Sequence, residues 1–367
     1  MRALTRVKIP IILVGFLALF LHMSCANNGE IITFPDTNLE AAVRRAIDKP
    51  TGSISKFDLE GLTELDDNGS GIIDLTGLEY CVNLATLNIT RNQVSDISPL
   101  SELTELTTLR LEYNEKITDI TALANLTNLT HLNIKYNKII DIIPISNLTN
   151  LTELTIHKNH IDDFSPLSNL TNLITLSAGR NPASDISSLS NLTNLTVLAL
   201  DMSEVIDISP LANLTGLTSL DLYQNRISDI SPLSNLTNLT SLTLHDNEIG
   251  DLHPLAALTN LEYLTLFGNR ISDISPLANL ISLTRVDLYH NEISDLNPLA
   301  NLTNVELITL MHNQISDISP LLSLTGLDPA NAVDLRGNPL SETSINVYTP
   351  LLEQRGLHII WDPPATP

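Results

Sequence analysis

The residues best suited to chemistry are few. Asp66-x-Asn68-x-Ser70-Gly71-x-Ile73-Asp74 alternates oxygen-bearing side chains around a glycine, as the opening of an EF-hand calcium loop does. The position that must supply the bidentate carboxylate is Gly77, so the calcium reading fails at its decisive ligand. His290 and His312 could offer two nitrogens to a transition metal, but no carboxylate or thiolate partner accompanies them. There is no His-Glu-x-x-His helix, no Gly-x-Ser-x-Gly elbow and no phosphate-binding glycine loop. Ser and Asp recur at fixed spacing, whereas a catalytic site normally breaks its scaffold's pattern. The expectation is a chain that is not an enzyme and holds neither cofactor nor metal.

What positions side chains here is a repeat. Starting from Leu84-Ala-Thr-Leu-Asn-Ile-Thr-Arg-Asn92-Gln-Val-Ser-Asp96-Ile-Ser-Pro-Leu100, the pattern returns every 22 residues. An Asn recurs at Asn92, Asn114, Asn137, Asn159, Asn181, Asn225, Asn247, Asn269, Asn291 and Asn313, with Ser203 at the missing place, Asn338 closing the series and Ser70 opening it. An Asp recurs from Asp74 and Asp96 to Asp317, with one inserted residue between Asn114 and Asp119. Leu at alternate positions, as in Leu220 and Leu222, predicts a short strand with its apolar side inward. An Asn amide carries both donors and an acceptor, so one per coil can satisfy backbone groups where the chain turns inward. Pro99, Pro166, Pro210, Pro232, Pro276 and Pro320 suit a tight return turn rather than a long helix.

This pattern, L-x-x-L-x-L-x-x-N-x-I, resembles the leucine-rich repeat, and its Asp-Ile-Ser-Pro-Leu segment resembles the internalin-type bacterial branch. The resemblance covers roughly residues 55 to 340. It implies an α/β fold: a right-handed solenoid with a concave parallel β-sheet, a thin convex side and helical caps. It also implies recognition of another molecule at a surface, without naming that molecule.

Positions that the repeat leaves free on the strand are therefore the informative ones; in the coil ending at Asn92 they are Thr86, Asn88, Thr90 and Arg91. Eight Tyr or Phe residues lie between Asp74 and Asn338, and Tyr113, Tyr136, Tyr223, Tyr263, Phe267 and Tyr289 occupy such places, while Tyr80 and Phe164 do not. The row two residues before the recurring Asn reads Tyr223, His245, Phe267, Tyr289, Met311, with His290 and His312 beside it. At a strand spacing of about 4.8 Å this makes a stripe of roughly 19 Å facing solvent. Aromatics favour interface centres, so the stripe is the candidate binding surface, and a protein is the expected partner. Aromatics also simply favour strand surfaces, which keeps open a structural envelope or matrix spacer. A glycan is the other candidate ligand.

Charge is uneven on the same face: Arg91, Arg110, Lys135, Lys158 and Arg180 precede Asp201, Asp221, Asp246 and Asp287, with Glu112, Glu153 and Arg285 as exceptions. A partner of opposite polarity would be oriented by that field. The chain's net charge of -23 makes nucleic acid a poor partner, and no basic patch is visible to offset it. Nothing in the residues sets an oligomeric state.

Residues 1–26 read as a leader: basic Arg2, Arg6 and Lys8, an apolar run from Ile9 to Leu21, then small residues. Ser24-Cys25-Ala26 suits a small-x-small cleavage site, whereas Ser24-Cys25 resembles the end of a lipobox from which His22 departs. The chain is expected to be secreted or in the bacterial cell envelope, touching membrane only through a lipid on Cys25. Cys81 reads as a buried small hydrophobe. Residues 27–60 are expected to form a helical cap: Asp36 opens a helix through about Ile47 with Leu39, Val43 and Ala46 inward, and Ser55 with Asp58 opens another turn. The solenoid occupies 61–340. In the C-terminal cap and tail, 341–367, Ser341 starts a helix containing Ile345, Tyr348 and Leu352, interrupted near Pro350 and ended by Gly356, before a strand from Leu357 to Trp361 and a Pro-rich tail expected to be disordered. The many Asn-Leu-Thr tripeptides match a glycosylation acceptor but are produced by the repeat itself.

Overall fold

A computed structural model describes residues 29–363; the leader, Cys25 and the end of the tail lie outside the described residues. In each coil three residues form a strand whose middle residue is a buried Leu, Ile or Val. Twelve such strands, from Glu64–Asp66 to Leu307–Thr309, pair in parallel in strict chain order. Register follows the repeat, so that Ser219 pairs with Ser241; across the inserted residue Thr108 pairs with His131. In a typical coil Leu217, Leu220, Leu222, Ile227, Ile230 and Leu233 are all buried, each burial stabilising by roughly 1.5–3 kcal/mol. The fold is a leucine-rich-repeat solenoid.

The chain returns along the outer side through short 3-10 turns. Each is opened by the recurring Asp: Asp229 Oδ1 accepts the Ser231 N–H at 2.8 Å, and Pro232 follows where a missing N–H costs nothing. This backbone N–H, then the nearby hydroxyl, holds the Asp119, Asp163, Asp185, Asp229 and Asp273 carboxyls below their ordinary value. Much of the chain's acidity is therefore turn chemistry.

The recurring Asn forms the internal ladder. Asn247 Nδ2 donates to the Leu222 and Leu244 carbonyls at 3.0 Å each, while its Oδ1 accepts the Ile227 N–H of the preceding coil at 3.0 Å. At Ser203 the ladder lacks a rung, and the Ala183 N–H turns instead to the Ile161 carbonyl at 3.1 Å. At the inserted residue Asn137 keeps its donors, but its buried Oδ1 has no partner. A second Asn ladder runs beside it: Asn128, Asn150, Asn172, Asn194, Asn238 and Asn260 each donate to a Thr carbonyl of the coil before. Half of each Asn-Leu-Thr-Asn motif is thus accounted for by hydrogen bonding.

The helix Thr37–Ala46 is N-capped by Asp36, which accepts from Asn38, Leu39, Ile73 and Asp74 and so stitches the helix to the first coil. Burial pushes the Asp36 carboxyl up, but those four N–H donors outweigh it and leave it below its ordinary value. The inward stripe is Leu39, Ala42 and Val43; Ala46 is exposed, because the helix ends there and the chain turns away at Ile47. Ser55 and Asp58 form a reciprocal capping box for Lys56–Leu59. Lys49 Nζ, 2.7 Å away, with Ser55, brings the Asp58 carboxyl down to about 2.

At the far end the last coil is longer than 22 residues, running from Asn313 to Asn338. Its strand Ala332–Asp334 leaves the main sheet to pair with His358–Ile360, though the His312 N–H still reaches the Arg336 carbonyl at 2.8 Å. The C-terminal helix is not interrupted at Pro350. A π-turn over Ser344–Tyr348 runs into Thr349–Gln354, with Thr349 Oγ1 donating to the Ser344 carbonyl and Pro350 in the first turn, where no donor is required. Cys81 is fully buried, which pushes its thiol up to about 12 and leaves it inert.

Candidate functional site

The free strand positions lie six, four, two and one residues before the recurring Asn. The last has left-handed backbone in coil after coil: φ is 55° at Arg91, 59° at Tyr113, 56° at Tyr136, 55° at Lys158, 53° at His290 and 51° at His312. Glycine takes the place at Gly69, Gly268 and Gly337 among the described coils. Non-glycine residues disfavour this conformation, so the Asn ladder must hold them there. The turn swings the side chain one before Asn alongside the row two before it.

Strands repeat at about the thickness of an aromatic ring, so identical rows stack. Tyr223, His245, Phe267 and Tyr289 form one continuous column, with centroids 4.5, 4.0 and 4.2 Å apart and interplanar angles of 14°, 14° and 12°. Tyr289 meets His290 edge-on at 5.6 Å, and His290 stacks on His312 at 4.4 Å. Met311 continues the row, half-buried. Tyr113 and Tyr136 form a separate stack at 4.3 Å, cut off from the long column by Gly179 and Asp201 in the intervening coils. Tyr263, six before Asn269, is half exposed and takes part in neither. The column's rings are half-buried rather than exposed, because each face is covered by its neighbour and only the edges meet solvent.

The gap between the stacks holds a charged cluster. Asp201, only 4% exposed, lies 3.3 Å from His157 Nε2 and 3.5 Å from Arg180 Nε, and Arg180 also donates to Tyr223 Oη at 3.2 Å. Its carboxylate lies against the Gly179 backbone, where an added Cβ would clash with Oδ1. Burial raises the Asp201 carboxyl, but His157, Tyr223 and Arg180 bring it below its ordinary value. Asp221, next in the sheet, is pushed up to about 6 by burial and by the Asp201 charge, against the Tyr223 N–H that stabilises its ionised form. His157 and Gly179 carry no signal in a motif search; the only hint is that Gly179 breaks a row otherwise filled by larger side chains.

The basic end of the face, already legible as a run of free positions, closes here around the Tyr113 and Tyr136 rings. Arg91, Arg110, Lys135 and Lys158 come from consecutive coils; Arg91 sits 5.2 Å and Lys135 6.0 Å from the Tyr113 centroid, and Lys158 4.8 Å from that of Tyr136. His290 and His312 stack face to face, so their in-plane lone pairs run side by side rather than converging on an ion. Among the described residues no three potential ligands gather. In the calcium-like segment, Asp66 accepts from Asn88 and Asp74 from Thr76. Ile72 and Gly71 donate to Asn92.

Comparison with known proteins agrees with this architecture. The family described as Leucine Rich repeats (2 copies) matches residues 82–125, 127–169, 215–257, 259–301 and 281–323, together more than half of the chain. The crystal structure of an internalin (inlF) from Listeria monocytogenes is 37% identical, covering 80% of this chain and 94% of that one with a TM-score of 0.73. A leucine-rich-repeat protein of Leptospira interrogans is 22% identical over 80% of this chain and 82% of its own, TM-score 0.68. The Arabidopsis receptor kinase HAESA, solved with the peptide hormone IDA and the co-receptor SERK1, is 23% identical over 76% of this chain and 50% of its own, TM-score 0.67. The last two share the fold alone. Coil geometry, repeat sequence and the internalin likeness together place this chain in the leucine-rich-repeat family, as an internalin-like bacterial member.

Proposed function

We propose that the chain is a non-enzymatic binding protein that recognises a protein partner through its concave sheet face, outside the cell. The observation that carries this reading is the column Tyr223–His245–Phe267–Tyr289. A sugar ring or a quaternary cation docks on an aromatic face, and these faces are already covered. What remains is a row of ring edges, Tyr hydroxyls and His nitrogens, fit for the mixed apolar and carbonyl surface of a polypeptide. That favours a protein over a glycan. HAESA, which shares the fold, is seen with a peptide hormone. A rigid column across adjacent coils is also pre-organised, which lowers the cost of binding.

The test is a pull-down from the native environment with the mature chain and a Phe267→Ala/Tyr289→Ala variant, both checked for equal melting. Tyr223 is left intact because its hydroxyl holds Arg180. A partner held by the parent and lost by the variant supports the reading. Equal retention moves the site off the column, and no partner for either favours the structural spacer. The leader layout supports export, and Cys25 is the proposed lipid anchor to the envelope. The intact mass of the exported chain decides this: an acylated Cys25 N-terminus supports the anchor, and a free one removes it.

A further inference from the structure

Cations are scarce in this chain, with 19 Lys and Arg against 42 Asp and Glu, yet Arg91, Lys135 and Lys158 gather on the Tyr113–Tyr136 stack at one end of the sheet face, with Arg110 on a strand of the same end. Arg91, Arg110, Lys135 and Lys158 occupy consecutive coils, an array about 14 Å long at strand spacing. Among the described residues none of the four has a salt-bridge partner. The carboxylates nearest in the repeat do not fill that role. Glu112 has a buried, unpartnered Oε2, and Glu153 faces His131 at 3.5 Å.

The stacked Tyr113 and Tyr136 rings hold three of these cations instead. A ring face attracts a cation through its quadrupole but leaves the net charge and the N–H donors available. The arrangement therefore orders the side chains without neutralising them, unlike Arg180 in the next coil, which lies against Asp201.

We infer that this end of the sheet is an anion-binding subsite that receives an acidic segment of the protein partner. The inference rests on the sheet face being a protein-recognition surface and names the chemistry of one part of that partner. Carboxylates spaced along an extended peptide would complete the cation–aromatic pairs, and charge-assisted hydrogen bonds to the free N–H groups would fix the register. A polyanion of another class, such as a sulfated glycan, is the competitor for the same charges.

The experiment titrates the mature chain with a hexaglutamate peptide, a hexalysine peptide and a heparin-derived hexasaccharide at low and at physiological salt. It is repeated with Lys135→Glu/Lys158→Glu and with Tyr136→Leu, after thermal melts show each variant folded. Hexaglutamate is expected to bind, to weaken about tenfold in the charge-reversal variant, and to weaken several-fold at physiological salt. Tyr136→Leu, which keeps every charge, is expected to weaken it by a smaller factor, a loss that charge alone does not produce. No hexaglutamate binding at low salt, or binding indifferent to Lys135 and Lys158, overturns the subsite. Tighter binding of the heparin hexasaccharide overturns the choice of an acidic peptide. The Phe267→Ala/Tyr289→Ala variant should bind hexaglutamate as the parent does, so failure of the aromatic column and failure of this subsite are read separately.

Discussion

Asn247→Ala lowers unfolding stability by about 3–4 kcal/mol, while Asn137→Ala costs about 1–2 kcal/mol less than that, measured as urea midpoints. The difference follows from the ladder. Removing the Asn247 amide strands the buried Ile227 N–H and withdraws donors from the Leu222, Leu244 and His245 carbonyls. Groups left unsatisfied in a dry interior carry their full desolvation penalty. Asn137 loses only donors, because its Oδ1 has no partner to begin with. In a solenoid each coil contacts its neighbours alone, so the Asn247 lesion should also show as fast amide exchange confined to the adjoining coils. Equal losses at the two positions would mean that the Asn acts through packing and not through its acceptor.

Asp221→Asn raises stability at neutral pH by about 2 kcal/mol and does nothing at pH 3.5, as thermal melts across that range would show. The Asp221 carboxyl is raised from 3.8 to about 6 in the folded chain, by burial and by Asp201. A raised carboxyl makes the folded state prefer the proton, so the penalty for ionising it is absent below the unfolded value of 3.8, grows between 3.8 and about 6, and is constant above. Asparagine keeps an acceptor for the Tyr223 N–H and carries no charge. The carboxyls held low, such as Asp36 and Asp58, act oppositely: their contribution is full at neutral pH and disappears as pH falls through their folded values. The parent should therefore be most stable in mildly acidic solution, and the variant should keep the acid limb while losing the decline above it. A variant less stable than the parent at pH 7 would show that the Asp221 charge is compensated in the fold.

Coil spacing, the inward Leu rows and the turn chemistry of Asp-Ile-Ser-Pro were legible because each depends on residues close in sequence and is restated in every repeat. The rows of free positions were legible for the same reason, so the spacing alone puts Tyr223, His245, Phe267 and Tyr289 in one line. Their faces were another matter. Whether a ring shows its face or its edge depends on its neighbours' side-chain torsions, and those are set by the left-handed turn before each Asn. Ala46 and Pro350 were misjudged because helix ends and π-turns answer to the packing of the caps, not to local periodicity.

The amino-acid sequence by itself determined the solenoid: a period, an inward stripe and a satisfied turn admit one way of stacking. Only the tertiary structure decided how side chains in neighbouring coils meet, face to face, edge-on or across rows, since the repeat fixes which positions align and leaves the geometry of the contact to packing. It set Arg91, Lys135 and Lys158 against the stacked Tyr113 and Tyr136 rings, and Asp201 over Gly179 against His157 and Arg180. Charge and burial act through space, and in a repeat protein the space between coils is made only when they stack.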